Sequence, residues 1–172
     1  MYLQQKKFET AEKTYLAILK ISPDDPESHF FLGTVYYELK NKDKAIQALK
    51  KAIALKSDYH EALNYLGYLY AQENKNLEEA EVMIKKAISL EPGNGAYIDS
   101  LGWVYFKKGK NRDALRELER AAKLLEDPVI FGHLGDAYFK IKNFKNAKLN
   151  WQRSLKLDPA QEVIKEKLGK LK

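Results

Sequence analysis

The stretch Ile98-Asp99-Ser100-Leu101-Gly102-Trp103-Val104-Tyr105, followed by Ala114, Leu118 and Ala121, decides the fold of this chain. Leu101 and Gly102 follow Ile98 by three and four positions, and Tyr105 follows Gly102 by three. Apolar and small residues at these intervals lie on one face of a helix. A single copy of this pattern would indicate little, so its recurrence along the chain is the test.

The same constellation occurs four times in register. It is centred on Gly33, Gly67, Gly102 and Gly135, which are 34, 35 and 33 residues apart. Each of these glycines directly follows a leucine and precedes a tyrosine by three positions. Self-similarity at a fixed period of this length indicates a stacked repeat architecture.

With these four copies the sequence resembles the tetratricopeptide-repeat (TPR) family over about Tyr2 to Pro159. The resemblance implies an all-α fold, a right-handed α-solenoid of antiparallel helix pairs. The second to fourth copies are also similar to repeat arrays of larger bacterial proteins, often exported ones. The predicted units are a partial repeat over 1–25, repeats over 26–59, 60–94, 95–127 and 128–159, and a C-terminal capping helix over 160–172.

The first unit is expected to be incomplete. Phe8, Ala11, Tyr15 and Ile18 form one apolar face that ends before Ser22-Pro23. Counting back by the repeat spacing places Tyr2 at the tyrosine position and Met1 inside the first helix of a repeat. The chain is therefore either a fragment of a longer array or a natural array with a worn first repeat, and both readings stay open.

Composition limits the chemistry and leaves the compartment undetermined. Zero cysteines among 172 residues exclude disulfides, cysteine-ligated zinc and thiol catalysis. No run of about 18 apolar residues is present, and the N-terminus lacks the apolar region of a signal peptide. We expect a soluble protein, cytoplasmic or, if it belongs to an exported bacterial protein, periplasmic.

Turn and cap signals separate the predicted helices. Asp25-Pro26 and Asp127-Pro128 each supply an N-cap and a proline at the first helical position. Asn74-Lys75-Asn76 holds one residue more than the corresponding turn of the preceding copy. Pro92-Gly93-Asn94-Gly95 could form a hairpin, but the flanking periodicity is helical and favours a turn between helices.

Neither the glycines nor the histidines mark a catalytic or metal site. The four repeated glycines lie in the middle of helices and match no phosphate-binding loop, so they indicate close helix packing. No two of His29, His60 and His133 lie at the i, i+4 spacing of paired metal ligands, and the His133/Asp136 pair is expected to be a surface hydrogen bond. We therefore predict a non-enzyme without cofactor or metal.

Charge is segregated between the two helices of each repeat. The first-helix windows 26–39, 60–73, 95–106 and 128–139 contain no Lys or Arg, although the chain has 30. The net charge of +6 is therefore expected on the second helices and turns. This weighs against nucleic acid on the first helices and leaves the bases as a solvated face or, less favoured, a contact to an anionic surface.

In TPR proteins the first helices line a concave groove, and the resemblance implies which side chains point into it. The implied groove residues are Phe30, Thr34, Tyr37, Glu61, Asn64, Tyr68, Asp99, Trp103, Phe106, Asp136 and Phe139. This face is aromatic and mildly acidic, although a register error of one residue would exchange core for groove. Trp103 is expected in the groove and Trp151 in the core, so that Trp103→Ala should cost far less stability than Trp151→Ala.

The resemblance implies a protein-interaction scaffold that binds a peptide or partner segment in this groove. Apolar anchors and a partner Lys or Arg facing Glu61, Asp99 or Asp136 are expected. The basic set with which some family members grip a C-terminal carboxylate has no counterpart here, and no membrane insertion is expected. The alternative is a structural module that self-associates or docks through residues 1–22.

Overall fold

The computed structural model describes residues 2–171, with side chains from Lys6 to Leu171. The predictions that concern Met1, Lys172 and the side chain of Tyr2 lie outside the described residues. Over the described range 80% of the chain is helical and no strand occurs. The helices are α1 (Tyr2–Ile21), α2 (Pro26–Glu38), α3 (Lys42–Leu55), α4 (His60–Gln72), α5 (Leu77–Leu90), α6 (Gly95–Lys107), α7 (Asn111–Leu124), α8 (Pro128–Lys140), α9 (Phe144–Leu157) and α10 (Glu162–Gly169).

The chain divides into two units, Met1–Leu66 and Gly67–Lys172, with the division inside α4. Unit 1 contains α1 to α3 and the first part of α4, whereas unit 2 contains the rest of α4 and α5 to α10. Consecutive helices pack in pairs, α2 with α3 in unit 1, and α6 with α7 and α8 with α9 in unit 2. This is the pairing that the repeat pattern predicts.

The helix starts follow the predicted cap chemistry. The Asp25 carboxylate accepts a hydrogen bond from the backbone N–H of Ser28 at 3.0 Å, and Asp127 accepts from Val129 and Ile130 at 2.7 and 3.2 Å. Side-chain oxygens at this position satisfy N–H groups that have no partner inside the helix. The aspartate-proline pairs are confirmed as helix starts.

The two irregular turns also follow the sequence. Asn94 caps α6 by accepting from Ala96 and Tyr97 at 3.1 and 3.3 Å, so residues 92–94 form a turn between helices and not a hairpin. Asn74 and Asn76 have positive φ angles of 53° and 48°. Asparagine tolerates this left-handed region better than most residues, which explains how the longer turn closes.

The four repeated glycines lie where the helices of a pair approach most closely. A Cβ atom added to any of them would lie less than 3.0 Å from a large side chain of the second helix. The nearest atoms would be Leu49 Cγ at 2.8 Å from Gly33, Ile84 Cγ1 at 2.7 Å from Gly67, Leu118 Cγ at 2.7 Å from Gly102 and Trp151 Cδ1 at 2.3 Å from Gly135. The packing role predicted for these glycines is confirmed.

The C-terminal helix α10 closes the core of unit 2. Ile164 is buried with Ala147 and Trp151, and Leu168 and Leu171 pack against the same cluster. These are the three apolar residues of the predicted stripe, although Leu171 lies beyond the last residue of α10. In unit 1, α1 packs Tyr15 against Phe31 with ring centroids 5.5 Å apart, whereas Ile21 at its end is 86% exposed.

Part of the basic charge on the second helices and turns is paired within unit 2. Glu81 of α5 accepts from Lys85 at 2.6 Å and from Lys108 at 2.8 Å. Burial alone would raise the pKa of Glu81, but the hydrogen bonds and charges of Lys108 and Lys85 outweigh it and lower the pKa to about 2. These two lysines therefore belong to a local network and not to a freely solvated face.

Candidate functional site

Two predicted groove residues of unit 1, Phe30 and Tyr37, belong to an aromatic cluster. Phe30 lies 5.2 Å from Tyr59 and 6.2 Å from Tyr65, measured between ring centroids. Tyr37 meets Tyr65 edge-on at 6.0 Å. Edge-to-face and tilted pairs at these distances are favourable aromatic contacts. The cluster is half-buried, because Phe30, Tyr37 and Tyr65 each keep part of their surface exposed.

The three polar residues predicted beside this cluster have different surroundings. Thr34 donates its hydroxyl to the backbone carbonyl of Phe31 at 2.8 Å, so it serves the helix. Asn64 is half-buried, and its side-chain oxygen makes no hydrogen bond to a described residue. Glu61 is exposed and lies 3.2 Å from the ring of His60. Of these three, only Glu61 presents a charge to solvent.

In unit 2 a buried hydrogen-bonded pair, His133 and Asp99, joins two neighbouring first helices. The Nδ1 atom of His133 lies 2.9 and 3.1 Å from the two carboxylate oxygens of Asp99, and the residues are only 7% and 5% exposed. The sequence led us to pair His133 with Asp136, one turn away, and that pairing is wrong. Asp99 and His133 are separated by 34 residues, one repeat, which places them side by side on α6 and α8.

Trp103 stacks on two other rings and is buried. Its ring lies 4.0 Å from His133 at 14° and 4.8 Å from Phe106 at 7°. Only 7% of Trp103 is exposed, and its indole Nε1 has no hydrogen-bond partner among the described residues. Trp103, which is expected from the sequence to be open to the groove, is therefore packed against other side chains in this chain. Tyr68, another predicted groove residue, lies 6.2 Å from His133 and accepts a hydrogen bond from Gln72.

Three other predicted groove residues, Phe106, Asp136 and Phe139, meet at a recess of about 310 Å³, which we call the α8–α10 recess. Phe139 is 44% exposed, and its ring lies 5.5 Å from that of Trp151. The full lining is Phe106, Asp136, Phe139, Lys140, Trp151, Lys167 and Lys170. The recess therefore combines an aromatic floor with lysine side chains.

Asp136 is held from two sides within this recess. Its Oδ1 accepts from the indole N–H of Trp151 at 3.0 Å, and both carboxylate oxygens accept from Lys167 Nζ at 2.7 Å. A second recess of about 370 Å³ shares Asp136 and Lys167 and reaches Trp103 and His133. The Asp136–Lys167 ion pair thus lies in the walls of both recesses.

A family model described as the cytochrome c-type biogenesis protein H TPR domain matches residues 8–129. The chain belongs to the tetratricopeptide-repeat family. A second model, described as a tetratricopeptide repeat, matches residues 100–162. Together the two matches extend from α1 into α10, so the assignment covers the helices that form both units.

Individual relatives agree with this assignment. The TPR chain is 29% identical over 163 residues to the Hsp70-Hsp90 organising protein of Plasmodium falciparum (isolate 3D7); the match covers 90% of the chain but only 27% of that relative. A thermophilic TPR protein of Thermus thermophilus superposes with a TM-score of 0.81 at 20% identity, covering 99% of this chain and 93% of that one. PilF of Pseudomonas aeruginosa gives 0.77 at 22% identity, covering 99% and 79%. These likenesses confirm the predicted α-solenoid fold class.

Several residues around the recesses are not predictable from a single repeat of this TPR chain. The Asp99–His133 pair could have been found from its spacing of one repeat. Lys167 has no such signal, because the sequence pattern predicts solvated charges on α10. Asp99 and Asp136 are expected from the sequence to face a basic partner. In the structure Asp99 contacts His133 and Asp136 contacts Lys167, so both carboxylates already have a partner within the chain.

The described residues contain no group of three His, Asp or Glu side chains placed to hold a metal ion. Between residues 2 and 171, none of the helices is both long and apolar enough to cross a membrane. TPR proteins generally mediate protein–protein interactions and are typically non-enzymatic scaffolds. What the arrangement offers chemically is aromatic surface with charged side chains at its edge.

Proposed function

We propose that this TPR chain is a non-enzymatic scaffold that holds a segment of a partner protein against the first helices of its repeats. The single observation that carries the proposal is the α8–α10 recess, where first-helix residues Phe106 and Phe139 keep aromatic surface open to solvent. Ligand sites are concave, mostly apolar and edged by a few polar groups. The recess has this composition.

The size of the recess suits one large apolar side chain of a partner. At about 310 Å³ it is at the small end of ligand pockets. Aromatic surface in such a pocket can bind the anchors that dominate protein interfaces. In unit 1 the aromatic cluster offers a second contact, and there a basic residue of the partner can meet the exposed Glu61.

Site-specific photo-crosslinking in the cell of origin tests the proposal. A photoreactive residue in place of Phe139 should give discrete adducts with a partner protein, because this side chain is half-open and lines the recess. The same residue in place of Val82, which is 68% exposed on α5, is the control. Equal adducts at the two positions, or none at 139, would contradict the proposal.

A second candidate function is self-association through α1. Ile18 and Ile21 lie one turn apart on this helix and are 39% and 86% exposed. Contiguous exposed apolar surface marks interaction sites. If they mediate self-association, light scattering should detect a dimer whose population rises with concentration and that Ile18→Lys disrupts. A monomer at every concentration would remove this candidate.

A further inference from the structure

We infer that the α8–α10 recess selects an acidic partner segment, one that places an apolar anchor on Phe106, Phe139 and Trp151 and carboxylates next to the surrounding lysines. The inference rests on the proposed scaffold function and adds the charge of the ligand. It reverses, for this recess, the sign of charge expected from the sequence.

The argument begins with the charges that line the recess. Lys140, Lys167 and Lys170 face a single carboxylate, that of Asp136. Asp136 already accepts hydrogen bonds from Lys167 and from the indole of Trp151. A partner lysine would have to displace Lys167 to reach it. The carboxylate of Asp136 is therefore not available to a basic residue of a partner.

The positive charge, in contrast, is available. Lys140 and Lys170 are exposed, and neither makes an ion pair with a described residue. Lys140 ends α8 and Lys170 follows α10, so two chain segments bring them to the same recess. The nearby Glu162 lines only the second recess and is paired with Lys165 at 2.7 Å. Carboxylates are the groups that complement this arrangement.

The aromatic floor of the recess selects an apolar side chain, in addition to the negative charge that the lysines select. Phe139 packs on Trp151 at 5.5 Å, and Phe106 completes an aromatic surface on which an aliphatic or aromatic anchor can lie. Lysines at the edge of such a surface keep their charge in contact with water and add specificity more than affinity. The ligand is thus an apolar residue flanked by Asp or Glu, and not a simple anion.

Selection from a random peptide library on the full chain tests this inference. Enriched peptides should carry net negative charge around an apolar residue. The double variant Lys140→Glu/Lys170→Glu should weaken their binding by about tenfold or more, because two attractive contacts become repulsive. The charge-matched control Lys123→Glu/Lys148→Glu, at exposed positions of α7 and α9, should bind within about twofold of the parent chain. Thermal melts confirm that each variant is folded.

Each other outcome is decisive. Enriched peptides that are neutral or basic and still need Phe139 would overturn the acidic selectivity while leaving the scaffold function in place. A library that yields no binder overturns the inference, and the scaffold proposal then depends on the crosslinking at Phe139. If the chain forms a dimer that Lys140→Glu/Lys170→Glu dissociates, the recess binds a second copy of the chain. That outcome would also overturn the acidic selectivity.

Discussion

Replacing Trp151 with alanine should lower the free energy of unfolding by about 3–5 kcal/mol, the usual cost of emptying a large aromatic site in a core. Trp151 is 2% exposed and fills the space that Gly135 leaves open, since a Cβ at Gly135 would lie 2.3 Å from its ring. It also belongs to the same buried cluster as Ile164 of α10. The truncation therefore loosens both the α8–α9 pair and the capping helix.

Urea unfolding followed by circular dichroism measures this loss. Trp151→Phe keeps most of the ring and removes the hydrogen bond to Asp136, so its cost should be clearly smaller. Leu149→Ala, at a 54% exposed position of the same helix, controls for the effect of truncating a side chain outside the core. It should cost about 0.5 kcal/mol or less. If Trp151→Ala were no worse than Leu149→Ala, the core position of Trp151 would be refuted.

The fold was predictable because its determinants are local and repeated. The spacing from Gly33 to Gly135 fixes the register of each helix, and the aspartate-proline and Asn94 caps mark where helices begin. Each repeat then predicts the same helix pair independently of the others. The close approach of Gly102 to Leu118 and of Gly67 to Ile84 repeats one packing solution.

The candidate site was less predictable because it depends on contacts between repeats. The register of the family pattern indicates that Asp99 points away from the second helix of its own repeat. It does not reveal that His133 of the next repeat lies within hydrogen-bond distance of Asp99. Lys167 reaches Asp136 only because α10 packs on α9. Such pairings decide which carboxylates remain available to a partner, and the number of acidic residues per helix cannot supply that information.

Trp103→Ala should also destabilise the chain by about 3–5 kcal/mol, in contrast to the small cost that a groove position predicts. Its ring stacks on His133 and Phe106 at centroid distances of 4.0 and 4.8 Å, and truncation to alanine would remove both contacts. Trp103→Phe should cost less, because it retains stacking and removes an indole N–H that is buried without a partner among the described residues. Urea unfolding of both variants beside Phe139→Ala, at a 44% exposed position, provides the comparison. A Trp103→Ala protein as stable as Phe139→Ala would show that the stack contributes little, and Trp103 would again be a candidate anchor for the partner.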